Sequence, residues 1–416
     1  MFDSHFRTLF ISNPAHLRLQ SKRLIIEQAP TNSHKDLSHT SLPHKDTKDN
    51  DSLHDRYSPY KSDKKDSVAI PLADIAYIIL ESPRITVSSA LLDALSTHKV
   101  ALISCDSSHL PSGIFTPFLG HYRSLAVLES QIALKKQTKA IVWQQIIKSK
   151  ITNQCSALKL AKPNQTKAIQ SLQSLAKSVQ LGDSSYNEAK AAAIYFKALF
   201  GEGFTRMRDM QTNAINEIED KVAKEQTSNS ATEAATDMAL DTKESIAIIN
   251  SALNYGYAIV RACIVRTLSS SGLNPALGLS HTNAFNPFNL ADDIIEPFRA
   301  FVDSLVVEML VSGELDNSSE LSLPNRTKLA QILSAQVCML CFASATQTHV
   351  THTKNISNAT NKGKLYPLIR AVIICIQSLV KLIESNGDIS GLGLDLPVFM
   401  EDISNGREVY EGASDV

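Results

Sequence analysis

Apolar residues alternate or cluster in short runs near the start of the chain, then recur at helical spacing through most of the rest. RTLFIS, HLRLQ and RLIIEQ are short runs of alternating or continuous apolar character, separated by Asn-Pro and Ser-Lys turn signals, and they predict strands. VAIPLADIAYIILES continues in that style, VSSALLDALSTHK has the period of one helix, and VALISCD reads as a buried strand. From about His121 the texture changes. YRSLAVLESQIALKKQTKAIVWQQIIKSKITNQ predicts one long helix, followed by helices at TKAIQSLQSLAKSVQ, EAKAAAIYFKALFG and SIAIINSALNYGYAIVRACIVRTLSSSG. Three more are expected at LADDIIEPFRAFVDSLVVEMLVSG, TKLAQILSAQVCMLCFASA and LIRAVIICIQSLVKLIES. The pattern therefore predicts an α+β chain, mostly α, with an N-terminal β-rich domain over residues 1–118 and a helical domain over 119–416.

Three segments break the pattern. Residues 31–66 are almost entirely polar, bury too little apolar surface to order themselves, and read as a disordered insertion. Their histidines (His34, His39, His44 and His54) read as solvated linker residues, with metal binding the sharper alternative. Residues 216–244 and 347–364 are two further polar insertions, and no internal repeat is evident.

The overall balance is that of an ordinary soluble protein, with 43% hydrophobic and 20% charged residues and a net charge of −1. That average hides local contrast. Between His121 and Gln180 ten basic residues face Glu129 alone, whereas 216–244 is predominantly acidic. The six cysteines sit mostly in apolar, helical-looking runs. Cys338 and Cys341 make a C-x-x-C with no second pair after it, so buried thiols in a reducing cytoplasm are expected rather than a zinc site. MFDSHFRTLF lacks a signal-peptide core, and no apolar run comes near the roughly 20 residues of a spanning helix. A cytoplasmic protein without a membrane partner is the expectation.

Candidate chemistry begins with Glu188. On a helical wheel Ala191, Ala192, Tyr195 and Leu199 fall near it, and Lys190 and Lys197 fall opposite. A carboxylate on an apolar face needs something to neutralise it. It is either a ligand or a helix-start glutamate, for which Asp183, Ser184 and Ser185 are cap candidates. In LADDIIEPFRAFVD the stripe Leu290, Ile294, Phe298, Phe301, Val302 and Leu305 leaves Asp292, Asp293, Glu296, Arg299 and Asp303 off it. Asp292 and Asp293 stand four and three residues before Glu296, so like charges stack on one side, relieved by a bound cation, by Arg299 or by solvent. Pro297 marks a kink or a helix start. His281 lies in a Gly/Pro-punctuated loop, where a lone histidine is usually a surface residue. In the basic segment Lys135, Lys136, Lys139, Lys148 and Lys150 recur with Trp143, Gln144, Gln145, Asn153 and Gln154 between them. Lysines with amides suit sequence-independent phosphate contact, and a solvated helix face is the alternative.

WQQIIKSKITNQ (Trp143–Gln154), EAKAAAIYFKALFG (Glu188–Gly201), INSALNYGYAIVRA (Ile249–Ala262) and GLNPALGLSHTNAFNPFNLADDIIEPFRAFVD (Gly272–Asp303) together resemble the CRISPR-associated integrase. This is the larger subunit of the spacer-acquisition complex, in the form found beside type II systems. The resemblance covers roughly residues 1–30 and 67–345 and is strongest in the helical part. It implies an N-terminal β-sandwich joined to a helical lobe, and it places the family's metal-binding glutamate, histidine and second acid on Glu188, His281 and Glu296. Mg²⁺ or Mn²⁺ is the implied cofactor.

The implied partners are double-stranded DNA, as captured fragment and repeat array, a second copy of the chain, and a small ferredoxin-like subunit that bridges two dimers. The type II effector nuclease is a further partner on the same ground. The implied reaction is transesterification, in which the 3′-hydroxyl of a captured fragment attacks a phosphodiester at the edge of a repeat. Ser280 stands where the family often has a second histidine, and Thr282 and Ala284 replace more polar residues, leaving the three ligands untouched. A stand-alone metal-dependent nuclease for branched DNA and a non-catalytic helical scaffold are the competing expectations.

Overall fold

The structure, a computed structural model, describes residues 7–28, 67–107, 109–117, 121–207, 243–315, 320–340, 364–385 and 393–399. The polar segments at 31–66 and 347–363, the stretch 216–242, and Cys341 lie outside the described residues.

Strands come first, as the alternation predicts for β1 (Arg7–Ile11), β2 (Ala15–Gln20), β3 (Arg23–Gln28), β4 (Ser67–Pro71) and β5 (Ile75–Leu80); the short β6 (Thr86–Val87) takes Val87 from the expected helix. Helix α1 (Ser89–Thr97) follows, capped by the Ser88 hydroxyl, which accepts from the Leu91 amide; then come β7 (Ala101–Cys105) and β8 (Pro111–Phe115). They form two four-stranded sheets, ordered β1-β5-β7-β8 and β4-β3-β2-β6. In the first, β1, β5 and β7 run parallel and β8 returns antiparallel; in the second, only the β2–β6 pairing is parallel.

Strand β5 explains how the two halves of the molecule are joined. Its Ile75, Ile78 and Leu80 enter a core shared with Leu17 and Leu24 of the other sheet and Leu91 and Leu95 of α1. Its Ala76, Tyr77 and Ile79 enter the larger core of the helical region. A strand buried on both faces reads as a continuous apolar run, which is what IAYIIL is. Polar groups reinforce the junction: Arg266 donates to the Lys99 carbonyl (3.0 and 2.7 Å) and stacks over the Tyr77 ring, and Arg326 pairs with the buried Glu81.

The helical region comprises α2 (Ser124–Ile132), α3 (Lys136–Ala161), α4 (Thr166–Ser178), α5 (Asn187–Phe200), α6 (Lys243–Ser270), α7 (Asn289–Ile295), α8 (Arg299–Val311), α9 (Leu323–Ala330) and α10 (Leu368–Glu384). Two expectations change here. The first long helix is two, since the chain turns at Ala133–Lys135 between α2 and α3. AQVCML is not helical: α9 gives way to a 3₁₀ turn at Gln331–Ser334, and Gln336–Leu340 is strand β9, central in a sheet with β10 (Lys364–Pro367) and β11 (Leu396–Val398). A short apolar run fits either period, and pairing with strands close by in space decides it.

Helix α6 also exceeds the sequence expectation. It is long and apolar enough to cross a membrane by length and composition, but most of it is buried inside the protein. It packs against α7, α8, α9 and α10, as a central core helix does. At Gly256 any side chain would collide with Val302, so the glycine sets the close approach of α6 and α8. Cys155, Cys263, Cys338 and Cys375 are buried and Cys105 is half-buried.

Candidate active site

Four elements converge on one buried ion cluster. Helix α3 carries Trp143, Ile147, Lys150 and Gln154 at helical spacing, and all four are buried. Lys150 is thus a cation on an apolar stripe, only 6% exposed. Its ammonium lies 2.7 Å from Glu188 Oε1 and 2.5 Å from Glu296 Oε2. Burial works against the charge on Lys150, but Glu296 and Glu188 outweigh it and raise its pKa.

Glu188 reaches this point from the first turn of α5. The cap is supplied by Asp183, whose carboxylate accepts from the amides of Asn187 and Glu188, both at 2.9 Å. Glu188 is therefore free to turn inward rather than serve the helix start. Ala191, Tyr195 and Leu199 beside it are buried, while Lys190 and Lys197 are exposed, as the wheel predicts. Tyr186, just before the helix, holds a left-handed backbone (φ 54°) and an exposed ring.

Glu296 opens the 3₁₀ turn Glu296–Phe298, where Pro297 interrupts the run between α7 and α8. Asn153 of α3 donates to the Pro297 carbonyl at 2.8 Å and pins the turn against that helix. Arg299 donates to Glu296 Oε1 at 2.9 Å and lies over the Tyr257 ring, 4.6 Å from its centroid. Burial alone would push the Glu296 carboxyl up; Arg299 and Lys150 prevail and hold it below its usual range.

The stacked acids of the sequence reading do not share one face of solvent. Asp292 pairs with Arg261 (3.7 Å) and Asn286 (2.7 Å). Asp293, fully buried, accepts from the amides of Leu279, Ser280 and His281 (2.5, 3.2 and 3.1 Å) and from His281 Nδ1 (2.7 Å). One carboxylate thus folds the 279–281 loop around itself and fixes the histidine ring. With Nδ1–H donating to Asp293, Nε2 is left for a ligand, and this hydrogen bond, partly opposed by burial, raises the His281 pKa. The His281 ring meets Trp143 edge-on at 5.8 Å. Gly278 has no room for a side chain against the Asp293 carboxylate and the His281 carbonyl. Asp303, also fully buried, accepts from the Tyr257 hydroxyl, and Tyr195 faces the same carboxylate.

The basic segment divides. Lys135, Lys136 and Lys148 are exposed, and Lys139 donates to the Gly278 carbonyl at 3.3 Å. Lys150 does not belong with them as a solvated phosphate contact, because it is buried between two carboxylates. The amides are also taken up internally. Gln144 donates to the Val179 carbonyl, Gln145 accepts from Leu394, Asn153 clamps Pro297 and Pro397, and Gln154 is buried. A period check on Trp143, Ile147 and Lys150 would have separated this lysine from its neighbours.

Among the described residues no three His, Cys, Asp or Glu side chains are gathered closely enough to share a metal ion. The donor set nevertheless suits a hard divalent cation: two carboxylates already converge on one cation, and an imidazole oriented by Asp293 packs on Trp143, which shares the α3 stripe of Lys150. Glu296 Oε2, though beside the ammonium, has no partner in hydrogen-bond geometry.

In fold the chain is similar to a casposase bound to its integration product, with a TM-score of 0.58, 16% identity, and coverage of 97% of this chain and 98% of that one. It is also similar to a CAS1 protein from Thermotoga maritima, with a TM-score of 0.52, 12% identity, and coverage of 91% and 97%. In sequence it is 34% identical over 310 residues to the CRISPR-associated endonuclease Cas1 of Neisseria meningitidis serogroup C (strain 8013), covering 74% of this chain and 78% of that protein. The family model for CRISPR associated protein Cas1 matches residues 52–216 and 247–331, and the chain belongs to that family.

Proposed function

We propose that this chain is a metal-dependent DNA integrase and endonuclease of CRISPR adaptation, which joins the 3′-hydroxyl ends of short captured duplexes into a repeat array. The observation that carries the reading is the convergence of Glu188 and Glu296 on one buried cation, in a Cas1-family chain whose His281 is oriented by Asp293. The endonuclease name of the Neisseria relative and the integration product held by the casposase support DNA as substrate.

Glu188, Glu296 and His281 Nε2 would hold Mg²⁺ or Mn²⁺. Such an ion supplies Lewis-acid stabilisation of charge on the scissile phosphate. The chain's own contribution is positional. Asp293 fixes the imidazole, Asp183 fixes the start of α5 behind Glu188, and Asn153 with Arg299 fixes the Glu296 turn. In transesterification the incoming 3′-oxygen forms a P–O bond as the 3′-oxygen of the repeat leaves, so the number of phosphodiesters is unchanged. Exposed Lys135, Lys136 and Lys148 would hold the DNA backbone without reading bases.

The partners of this reading are a second copy of the chain and a small ferredoxin-like subunit. A Cas6-RT-Cas1–Cas2 complex among the similar folds (TM-score 0.55, 15% identity, covering 95% of this chain and 36% of that one) is in keeping with a partner subunit. The type II effector nuclease is a further candidate, and the site of action is the cytoplasm.

The test incubates the protein, with and without the small partner, with a short duplex and a supercoiled repeat-bearing plasmid in Mn²⁺ or Mg²⁺. Joined product should form and fall by about a thousandfold in Glu188→Ala, His281→Ala and Glu296→Ala. Joining that survives all three substitutions would overturn the site. Cleavage without joining would make the chain a nuclease instead.

A further inference from the structure

We propose that Lys150 is the resident cation of the metal-free site and that its ammonium must leave Glu188 and Glu296 when a divalent ion binds. The inference rests on the metal-binding reading above and adds a competitor to it from within the chain.

The geometry places the ammonium within 2.5–2.7 Å of one oxygen from each carboxylate, in the space a shared ligand ion would need. Lys150 is buried, so the two contacts are screened little by water. Glu188 and Glu296 are balanced by the Lys150 ammonium and the Arg299 guanidinium, which leaves the cluster formally neutral. A dication added with Lys150 in place would leave two surplus positive charges and press like charges together at contact distance. Displacing the ammonium removes that repulsion and frees the oxygens that face it. The side chain is a flexible four-carbon stem ending in a point charge, which can swing where a guanidinium fork would resist. The consequence for function is a site that folds without metal and takes metal up only by exchange.

Trp143 is the chain's single tryptophan and touches the His281 ring, so its fluorescence reports on Mn²⁺ at this site without any reaction being run. The full chain is stripped of metal and titrated with Mn²⁺, followed by Trp143 quenching and by calorimetry, for wild type, Lys150→Met, Lys150→Arg and the double variant Glu188→Gln/Glu296→Gln. Lys150→Met should bind Mn²⁺ about tenfold more tightly than wild type, and Lys150→Arg no more tightly. If Mn²⁺ binds wild type and is lost in the double variant, yet Lys150→Met binds no tighter than wild type, the metal reading stands and this inference falls. If neither wild type nor Lys150→Met binds Mn²⁺, both fall.

A second measurement needs no variant to fold. Acetic anhydride labelling of the wild-type protein, mapped by mass spectrometry, should modify Lys150 several times faster at saturating Mn²⁺ than without metal. Exposed Lys135 and Lys136 serve as constant references. Lys150 protection unchanged by saturating Mn²⁺ would overturn the displacement.

Discussion

Glu296 and Asp303 lie two helical turns apart, both buried, one at the turn that opens α8 and one within that helix, yet their surroundings treat them in opposite ways. Glu296 faces an ammonium and a guanidinium, which overcome burial and keep it ionised. Asp303 faces two tyrosines, and burial outweighs their hydroxyls, pushing its carboxyl up from 3.8 to about 6. Arg299 and Tyr257 separate the two environments: the guanidinium bonds to Glu296 and stacks on the ring whose hydroxyl serves Asp303. Burial alone therefore says little about a carboxylate's charge state. Its neighbours decide.

The largest way to break the contrast is to remove the cation from the Glu296 side. Lys150→Met should cost about 3–5 kcal/mol of stability in metal-free buffer at neutral pH, because it leaves two carboxylates facing each other without their shared partner. The sign with pH follows from the depressed carboxyl. Stability contributed by Glu296 is full above its unfolded value of 4.5 and is lost as pH falls through the lower folded value. Thermal melts of the two proteins should therefore draw together in acid, and a gap that widens there would contradict the assignment.

Asp303→Asn should act the other way. Its folded pKa of about 6 exceeds the unfolded 3.8, so the folded state binds the proton more readily, and wild-type stability falls as pH rises from about 4 through 6. The amide keeps an acceptor for Tyr257 and carries no charge. The variant should gain about 2–3 kcal/mol at pH 8 and nothing at pH 4. Denaturant unfolding at the two pH values checks this, and a loss of stability at pH 8 would show that Asp303 is held as a needed anion.

How much of this was legible beforehand depends on the range of the signal. The strand alternation, most of the helical periods and the inward face of Glu188 are local patterns and match the structure. The order of residues in GLSHTNAFNPFNLADD marked the loop, but not that Asp293, twelve residues on, would organise it through four hydrogen bonds. Spacing along one helix makes the acids near Glu296 look mutually repelling because it shows only that helix's own neighbours. Arg261 and Asn286 for Asp292, Lys150 for Glu296, and His281 with the 279–281 amides for Asp293 come from other segments, so each acid has its own partners. Composition groups Lys150 with the surface lysines, although its place on the Trp143–Ile147 stripe is readable from the same residues. Strand β9 was hidden by an apolar run too short to set a period.

The smallest effect sharpens the boundary between the two environments. Tyr257→Phe removes the hydroxyl that donates to Asp303 and leaves the ring beneath Arg299. Stability at pH 8 should fall by about 1–2 kcal/mol, the worth of a hydrogen bond to a charged acceptor. The loss should shrink below pH 6 as Asp303 takes up its proton, and the Asp303 pKa should rise further, since a hydroxyl that favours the anion is gone. Glu296 should not respond, because its partners are Lys150 and Arg299 and the stacking ring remains. Mn²⁺ affinity and strand joining at pH 7.5 should therefore stay near wild-type values. If Tyr257→Phe instead weakened metal binding as much as it weakened the fold, the two carboxylates would be one coupled system rather than two environments divided by Arg299 and Tyr257.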